Sequence, residues 1–245
     1  MRTIRITVEY DGTRYHGWQR QPNGVTIQEV LEKAAGTIVN SRVKVVGSGR
    51  TDAGVHALNQ VAHFRTESAL PAYNLLNGIN SRMPADIVVR DLVDADEQFH
   101  ARYDAKSKIY LYYIYNELVR SPLFDRYSWH VPRRLDIDRM NKAAEYLKGM
   151  HDFSSFCAAG GDVIDHVRIV SGISLRQRAR GLISISMEAD GFLRYMVRNV
   201  VGTLVDAGSG KIEPHDVRDI LAAQNRTLAG ITAPPRGLFL KEVKY

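Results

Sequence analysis

Two hydrophobic periods, repeated in the same order along the chain, constrain the fold most. Ile4, Ile6, Val8 and Tyr10 alternate with Arg5, Thr7 and Glu9, the period-two pattern of a half-buried strand. Thr26 then opens a helix, Glu29 three positions later completes a capping box, and Ile27, Val30, Leu31, Ala34 and Ile38 form its apolar stripe. Strands are expected at Val43–Val46, around Val61–Arg65 and at Ile87–Leu92, with a helix over Ala72–Arg82. The order strand, helix, strand, strand, helix, strand then returns. Ser107–Asn116 reads as an aromatic strand, Ile137–Leu147 as a helix, and Ile169–Arg178 with Leu182–Glu188 as a hairpin about Gly181. A helix over Leu193–Val205, a shorter one near His215–Ala223 and a strand at Leu238–Lys244 complete the series. The pattern predicts an α+β fold of two ferredoxin-like or RRM-like halves on mainly antiparallel sheets, residues 1–105 and 106–245. The join is expected near residues 100–106, although nothing rich in Pro or Gly marks it.

Composition narrows the function classes. No run approaches the roughly 18 apolar residues of a membrane span, and the opening MRTIRITVEY lacks the apolar stretch of a signal peptide, so cytoplasm is the expected compartment. The single cysteine, Cys157, excludes an intrachain disulfide and a thiolate zinc cluster. His56 and His63 flank a strand seven positions apart and read as structural, so no metal is expected. Lys and Arg total 33 against 27 acids, a net charge of +6 that favours a polyanionic partner or serves solubility alone.

The glycine-rich segment GSGRTDAGVHA, Gly47 to Ala57, lies between two expected strands. Its glycines permit tight turns and close approach to a ligand. It lacks the Gly-Lys-Ser/Thr ending of a P-loop, and Asp52 would repel phosphate. Asp52 also stands where a dinucleotide fingerprint needs its third glycine, and no Gly-x-Ser-x-Gly elbow makes Ser48 a nucleophile. Arg50 and Asp52, two apart on this loop, remain. Their spacing alone leaves open an Asx-turn that stabilises the loop and a carboxylate held for chemistry. Upstream, Arg14-Tyr15-His16-Gly17-Trp18-Gln19-Arg20 mixes cations with aromatics, a composition suited to RNA.

The string Gly49-Arg50-Thr51-Asp52-Ala53-Gly54-Val55-His56-Ala57 resembles the signature loop of the TruA family of tRNA pseudouridine synthases. Further blocks follow that family's order. They are Tyr10-Asp11-Gly12 with Gly17-Trp18-Gln19 and Gln21-Pro22, then Phe99-His100-Ala101-Arg102 with Lys108-Ile109-Tyr110-Leu111-Tyr112. After these come His151 to Phe156, Met196-Val197-Arg198-Asn199 with Val201-Gly202, and Thr232-Ala233-Pro234 with Gly237-Leu238-Phe239-Leu240. The resemblance spans nearly the whole chain. It implies two α+β halves whose sheets join across a central cleft, usually as a homodimer. It also implies isomerisation of uridine at tRNA positions 38, 39 and 40, in the anticodon stem-loop, without metal or cofactor. Phe239 departs from the family's frequent Tyr, and Ile109 from the basic residue expected near Tyr110, a role Lys108 is placed to take.

The resemblance also assigns roles. Asp52 becomes the catalytic carboxylate, Arg50 the arginine that fills the space vacated by the flipped base, and Arg198 the partner of the carboxylate. Tyr110 becomes the ring that stacks on uracil, with Ile109, Leu111, Tyr113 and Tyr115 on the other, core-facing side of its strand, and Leu238 packs against the base. Each residue keeps an ordinary reading: a phosphate contact for Arg50, packing for Tyr110 and Leu238, a solvated side chain for Arg198. Arg198 does lie off the apolar stripe Leu193, Met196, Val197, Val200, Val201, Leu204, Val205. Two other classes compete with the synthase. A non-catalytic tandem RRM-like module is disfavoured by Asp52 and by the missing RNP1 string, and a nucleotide-dependent transferase by the missing lysine.

Overall fold

The computed structural model describes residues 1–158, 160 and 164–245. The first part of the chain runs β1 (Arg2–Tyr10), α1 (Ile27–Val39), β2 (Val46–Gly47), β3 (His56–Thr66), α2 (Ala72–Asn80), β4 (Ile87–Ala95). The second runs β5 (Ser107–Tyr115), β6 (Trp129–His130), α3 (Ile137–Glu145), β7 (Gly149–Asp152), β8 (Val167–Gln177), β9 (Leu182–Ala189), α4 (Met196–Gly208), α5 (Asp216–Ala222) and β10 (Leu238–Lys244). This is the expected α+β architecture on mainly antiparallel pairings. The chain divides into two units, Met1–Lys106 with Phe239–Tyr245, and Ser107–Leu238.

In the first unit the strand order is β4-β1-β3-β10. Ile4, Ile6, Val8 and Tyr10 are all buried, as the alternation of β1 requires. α1 starts where the capping pair places it, with the Thr26 hydroxyl accepting from Glu29 N. β2 is shorter than its apolar run because α1 takes the backbone groups of that run. Glu32 accepts from Val45 N at 3.0 Å, and Gln28 Nε2 donates to Val45 O at 2.8 Å. The far edge of β3 is divided. Its later residues pair antiparallel with β2, and His56 and Ala57 pair parallel with Phe239 and Leu240 of β10. The closing strand was expected in the second half, and this pairing places it with the first unit instead.

In the second unit the order is β5-β9-β8-β7, antiparallel throughout, with β6 added parallel to β5. Register defines its buried face in rows: Tyr110 opposite Met187 and Ile173, Tyr112 opposite Ile185 and Leu175, Ile114 opposite Ile183. All of these side chains are buried, and Tyr112 and Ile114 are wholly so. This corrects the expected facing of β5. Leu111, Tyr113 and Tyr115 are half-exposed, and Tyr110 shares the core side with Tyr112 and Ile114. Seven consecutive apolar or aromatic residues erase the alternation that would have told the two faces apart. α4 begins three residues later than expected, but its whole apolar stripe is buried.

Candidate active site

In the first unit, Arg50 and Asp52 lie on the loop between β2 and β3, with Arg50 exposed and Asp52 half-buried. The loop is fixed from beneath. Buried Ser48 donates from Oγ to Gln60 Oε1 at 2.7 Å, and Gln60 Nε2 donates to Gly49 O at 3.0 Å. Tyr10 and Thr51 share a hydroxyl hydrogen bond of 2.8 Å. Burial pushes the Tyr10 phenol far above its usual range, so it stays neutral beneath the loop. Val55 N closes a turn onto Asp52 O at 3.1 Å.

The aromatic and basic loop after β1 lies directly against this segment. Trp18 N donates to Thr51 O at 3.1 Å, Gly54 N to Tyr15 O at 3.3 Å, and Gly12 N to His56 Nδ1 at 3.1 Å. Gly12 and Gly17 allow the approach, since a Cβ would meet Val55 O at 2.0 Å and Thr51 O at 2.5 Å respectively. Two blocks that are separate in the sequence therefore form one structure that holds Asp52 and Arg50. Sequence reasoning gave no role to Tyr10, Ser48, Thr51 or Gln60, because a buried hydrogen-bond network leaves no local pattern.

The second unit gathers Tyr110 and Arg198 around the start of α4. Tyr110 is buried, its ring 4.9 Å from Phe192 in an edge-on contact. Arg198 is half-exposed, with its guanidinium 4.6 Å over the Tyr195 ring and its Nε donating to Ala233 O at 2.7 Å. Ala233 N returns a bond to Arg198 O at 3.1 Å. The adjacent Asn199, fully buried, donates from Nδ2 to Phe156 O at 2.7 Å and accepts from Thr232 Oγ1 at 2.7 Å and Arg226 Nη2 at 2.9 Å. Gly202 completes the clamp, since a Cβ there would collide with Ile231 O at 1.7 Å. The segment from Arg226 to Ala233 is thereby locked along α4 and fixes the base of Arg198. Asn199 and Thr232 lie inside family-like blocks, but the resemblance assigns them no role, and Arg226 had no signal.

Leu238, also buried, follows a turn at Pro235–Gly237 that packs on Tyr112. The Tyr112 hydroxyl donates to Pro234 O at 2.8 Å, and a Cβ at Gly237 would meet the Tyr112 ring at 2.7 Å. Leu238 is thus set by the same aromatic strand that carries Tyr110. Arg50 and Asp52 lie in one unit, and Tyr110, Arg198 and Leu238 in the other.

Both histidines of β3 hold backbone. His56 Nδ1 accepts from Gly12 N, and its ring stacks on Phe239 with centroids 4.6 Å apart. A tyrosine hydroxyl is therefore not needed for packing at position 239. His63 Nδ1 accepts from Ala101 N at 3.1 Å. No group of three His, Cys, Asp or Glu side chains is placed to share a metal among the described residues. No helix is long and apolar enough to cross a membrane among them.

The chain matches the family model described as tRNA pseudouridine synthase over residues 6–104 and 143–245. It is 49% identical over 245 residues to a tRNA pseudouridine synthase A from Thermoanaerobacter sp. (strain X514), covering all of both chains. Proteins of the same name from Ruminiclostridium cellulolyticum and Geotalea uraniireducens are each 46% identical over 245 residues, again with both chains fully covered. The matched segments contain the braced loop of Arg50 and Asp52 and the α4 clamp beneath Arg198. On the agreement of that full-length identity with the family model, the chain belongs to the tRNA pseudouridine synthase family.

Proposed function

We propose that this tRNA pseudouridine synthase isomerises uridine at positions 38, 39 and 40 of the anticodon stem-loop, with Asp52 as the reacting carboxylate. The observation that supports this is the bracing of the Asp52 loop. The glycine-rich turn that carries this acidic side chain is held by Ser48, Gln60, Tyr10 and the loop after β1, and the backbone beneath a catalytic group must be fixed this closely. The reaction breaks the bond between C1′ and uracil N1, turns the base, joins C1′ to C5, releases the C5 proton to solvent and takes one proton up at N1, so that substrate and product are isomers. Asp52 serves either as nucleophile toward C1′ or as the base that leads through a glycal. No electrons enter or leave and no group is donated, so the balance requires no redox or group-carrying cofactor.

The other assignments follow the family. The target uridine leaves its stack, Arg50 takes the space it vacates, Tyr110 and Leu238 contact uracil, and Arg198 keeps the carboxylate ionised. The +6 charge suits a polyanionic substrate, and the working form is a cytoplasmic homodimer. The test is incubation with tRNA carrying tritium at uridine C5, with chelator present and no cofactor, followed by mapping of the product. Tritium release with pseudouridine at 38–40 is expected. Release only on addition of a metal, or product at other positions, contradicts the proposal.

A further inference from the structure

The hairpin of β8 and β9 carries Arg168, Arg176, Arg178 and Arg180 and no acid between Asp165 and Glu188. Three of these arginines cluster at its tip, all exposed. Arg178 is steadied by its Nε, which donates to Ser184 Oγ at 3.0 Å. Arg180 occupies the turn at φ 58°, in the left-handed region, immediately before Gly181 at φ 69°. Glycine or asparagine suits such a position better, so a long cation is held there against local preference.

Asn116, one residue beyond β5, brings two more cations to the same place. Its N donates to Gly181 O at 2.8 Å, its Nδ2 to Val131 O and Arg133 O, each at 2.7 Å, and its Oδ1 accepts from Leu135 N at 3.1 Å. The hairpin turn and the segment with Arg133 and Arg134 are thereby joined. None of these five arginines has a carboxylate partner among the described residues. Glu117 is the acid beside the turn, where a Cβ on Gly181 would meet its side chain at 2.4 Å. Asn116 follows the end of β5 and Tyr110 lies six residues before it within that strand, about 20 Å along the strand direction. The cluster therefore lies several base pairs of RNA helix away from a uracil stacked on Tyr110.

We propose that this arginine cluster binds backbone phosphates of the folded tRNA outside the anticodon stem-loop, and so raises affinity for whole tRNA over its isolated stem-loop. The inference rests on the proposed tRNA activity and concerns a different part of the molecule from the reacting residues. Guanidinium groups without carboxylate partners are available to grip phosphate oxygens in pairs, and each phosphate neutralised releases counterions.

The experiment measures binding, which separates it from pseudouridine formation. Wild type, R176S/R178S/R180S and R176K/R178K/R180K are titrated with whole tRNA and with the isolated anticodon stem-loop from low to moderate salt. The serine variant is expected to bind whole tRNA about tenfold or more weakly. Its slope of log K against log salt should become shallower by about 0.7–0.9 for each phosphate it no longer neutralises. Its affinity for the stem-loop and its turnover at saturating tRNA should stay as in wild type, and the lysine variant should keep the wild-type slope. An unchanged slope on whole tRNA, or an equal loss of affinity for whole tRNA and stem-loop, overturns the proposal.

Discussion

His63 gives the molecule a pH signature that can be signed from its surroundings. Burial pushes its ring down from 6.5 to about 4, and the positive fields of His100 and Arg65 add to the effect. The folded ring stays neutral at pH values where the unfolded chain takes up a proton, so the unfolded state is favoured on acidification. This contribution is complete above about pH 6.5 and is lost as pH falls toward 4. The urea midpoint of wild type should drop between pH 7 and pH 5, and His63→Asn should show a smaller drop. An identical pH dependence in the variant contradicts the assignment. Asn199→Ala removes a buried amide that serves Phe156, Thr232 and Arg226, and leaves their polar atoms without it. A destabilisation of about 2–4 kcal/mol is expected from chemical denaturation, with turnover reduced through Arg198; Asn199→Ala at wild-type stability refutes the clamp. Sequence exposed the residues of this site unevenly. Arg50 and Asp52 sit in an unusual glycine-rich string, whereas Tyr10, Gln60 and Asn199 act through pairings 11 to 43 positions away that no local window contains.

Elements were legible where one period dominated and one neighbour decided the packing. Thr26 with Glu29 located the start of α1, and Gly181 between two strand-like runs located the β8–β9 hairpin, because both depend on a few adjacent residues. β6 and β7, with two and four residues, are too short to show a period. The facing of β5 was hidden by a run that is apolar on both sides. β10 pairs parallel with a strand more than 180 positions earlier, a choice that only the folded chain can express. The element most sensitive to substitution is α4, where Gly202 and Gly230 face each other. A Cβ on Gly202 would strike Ile231 O at 1.7 Å, and one on Gly230 would meet Gly202 C at 2.6 Å. Gly202→Ala should separate the helix from the segment that holds Arg198, costing about 3 kcal/mol or more in thermal or urea unfolding. A variant as stable as wild type contradicts this close approach of helix and segment.

At the scale of the molecule, the fold provides two α+β units, with the Asp52 loop in one and Arg198 on α4 in the other. On the proposed role of Arg198, Arg198→Met should raise the apparent pKa of the acidic limb of the pH–rate profile and cut turnover, because the carboxylate would lose guanidinium support. Arg198→Lys should fall between that variant and wild type in single-turnover rates from about pH 5 to pH 9, and an unmoved acidic limb in Arg198→Met rules the role out. Light scattering at micromolar concentration should report a homodimer, and a monomer contradicts that part of the proposal. The central claim, that Asp52 performs the chemistry on tRNA, is tested most directly by comparing Asp52→Asn with wild type in one assay of tRNA affinity and pseudouridine yield. Affinity close to wild type with no pseudouridine formed is the predicted result. Product formation within about tenfold of wild type would remove Asp52 from the chemistry.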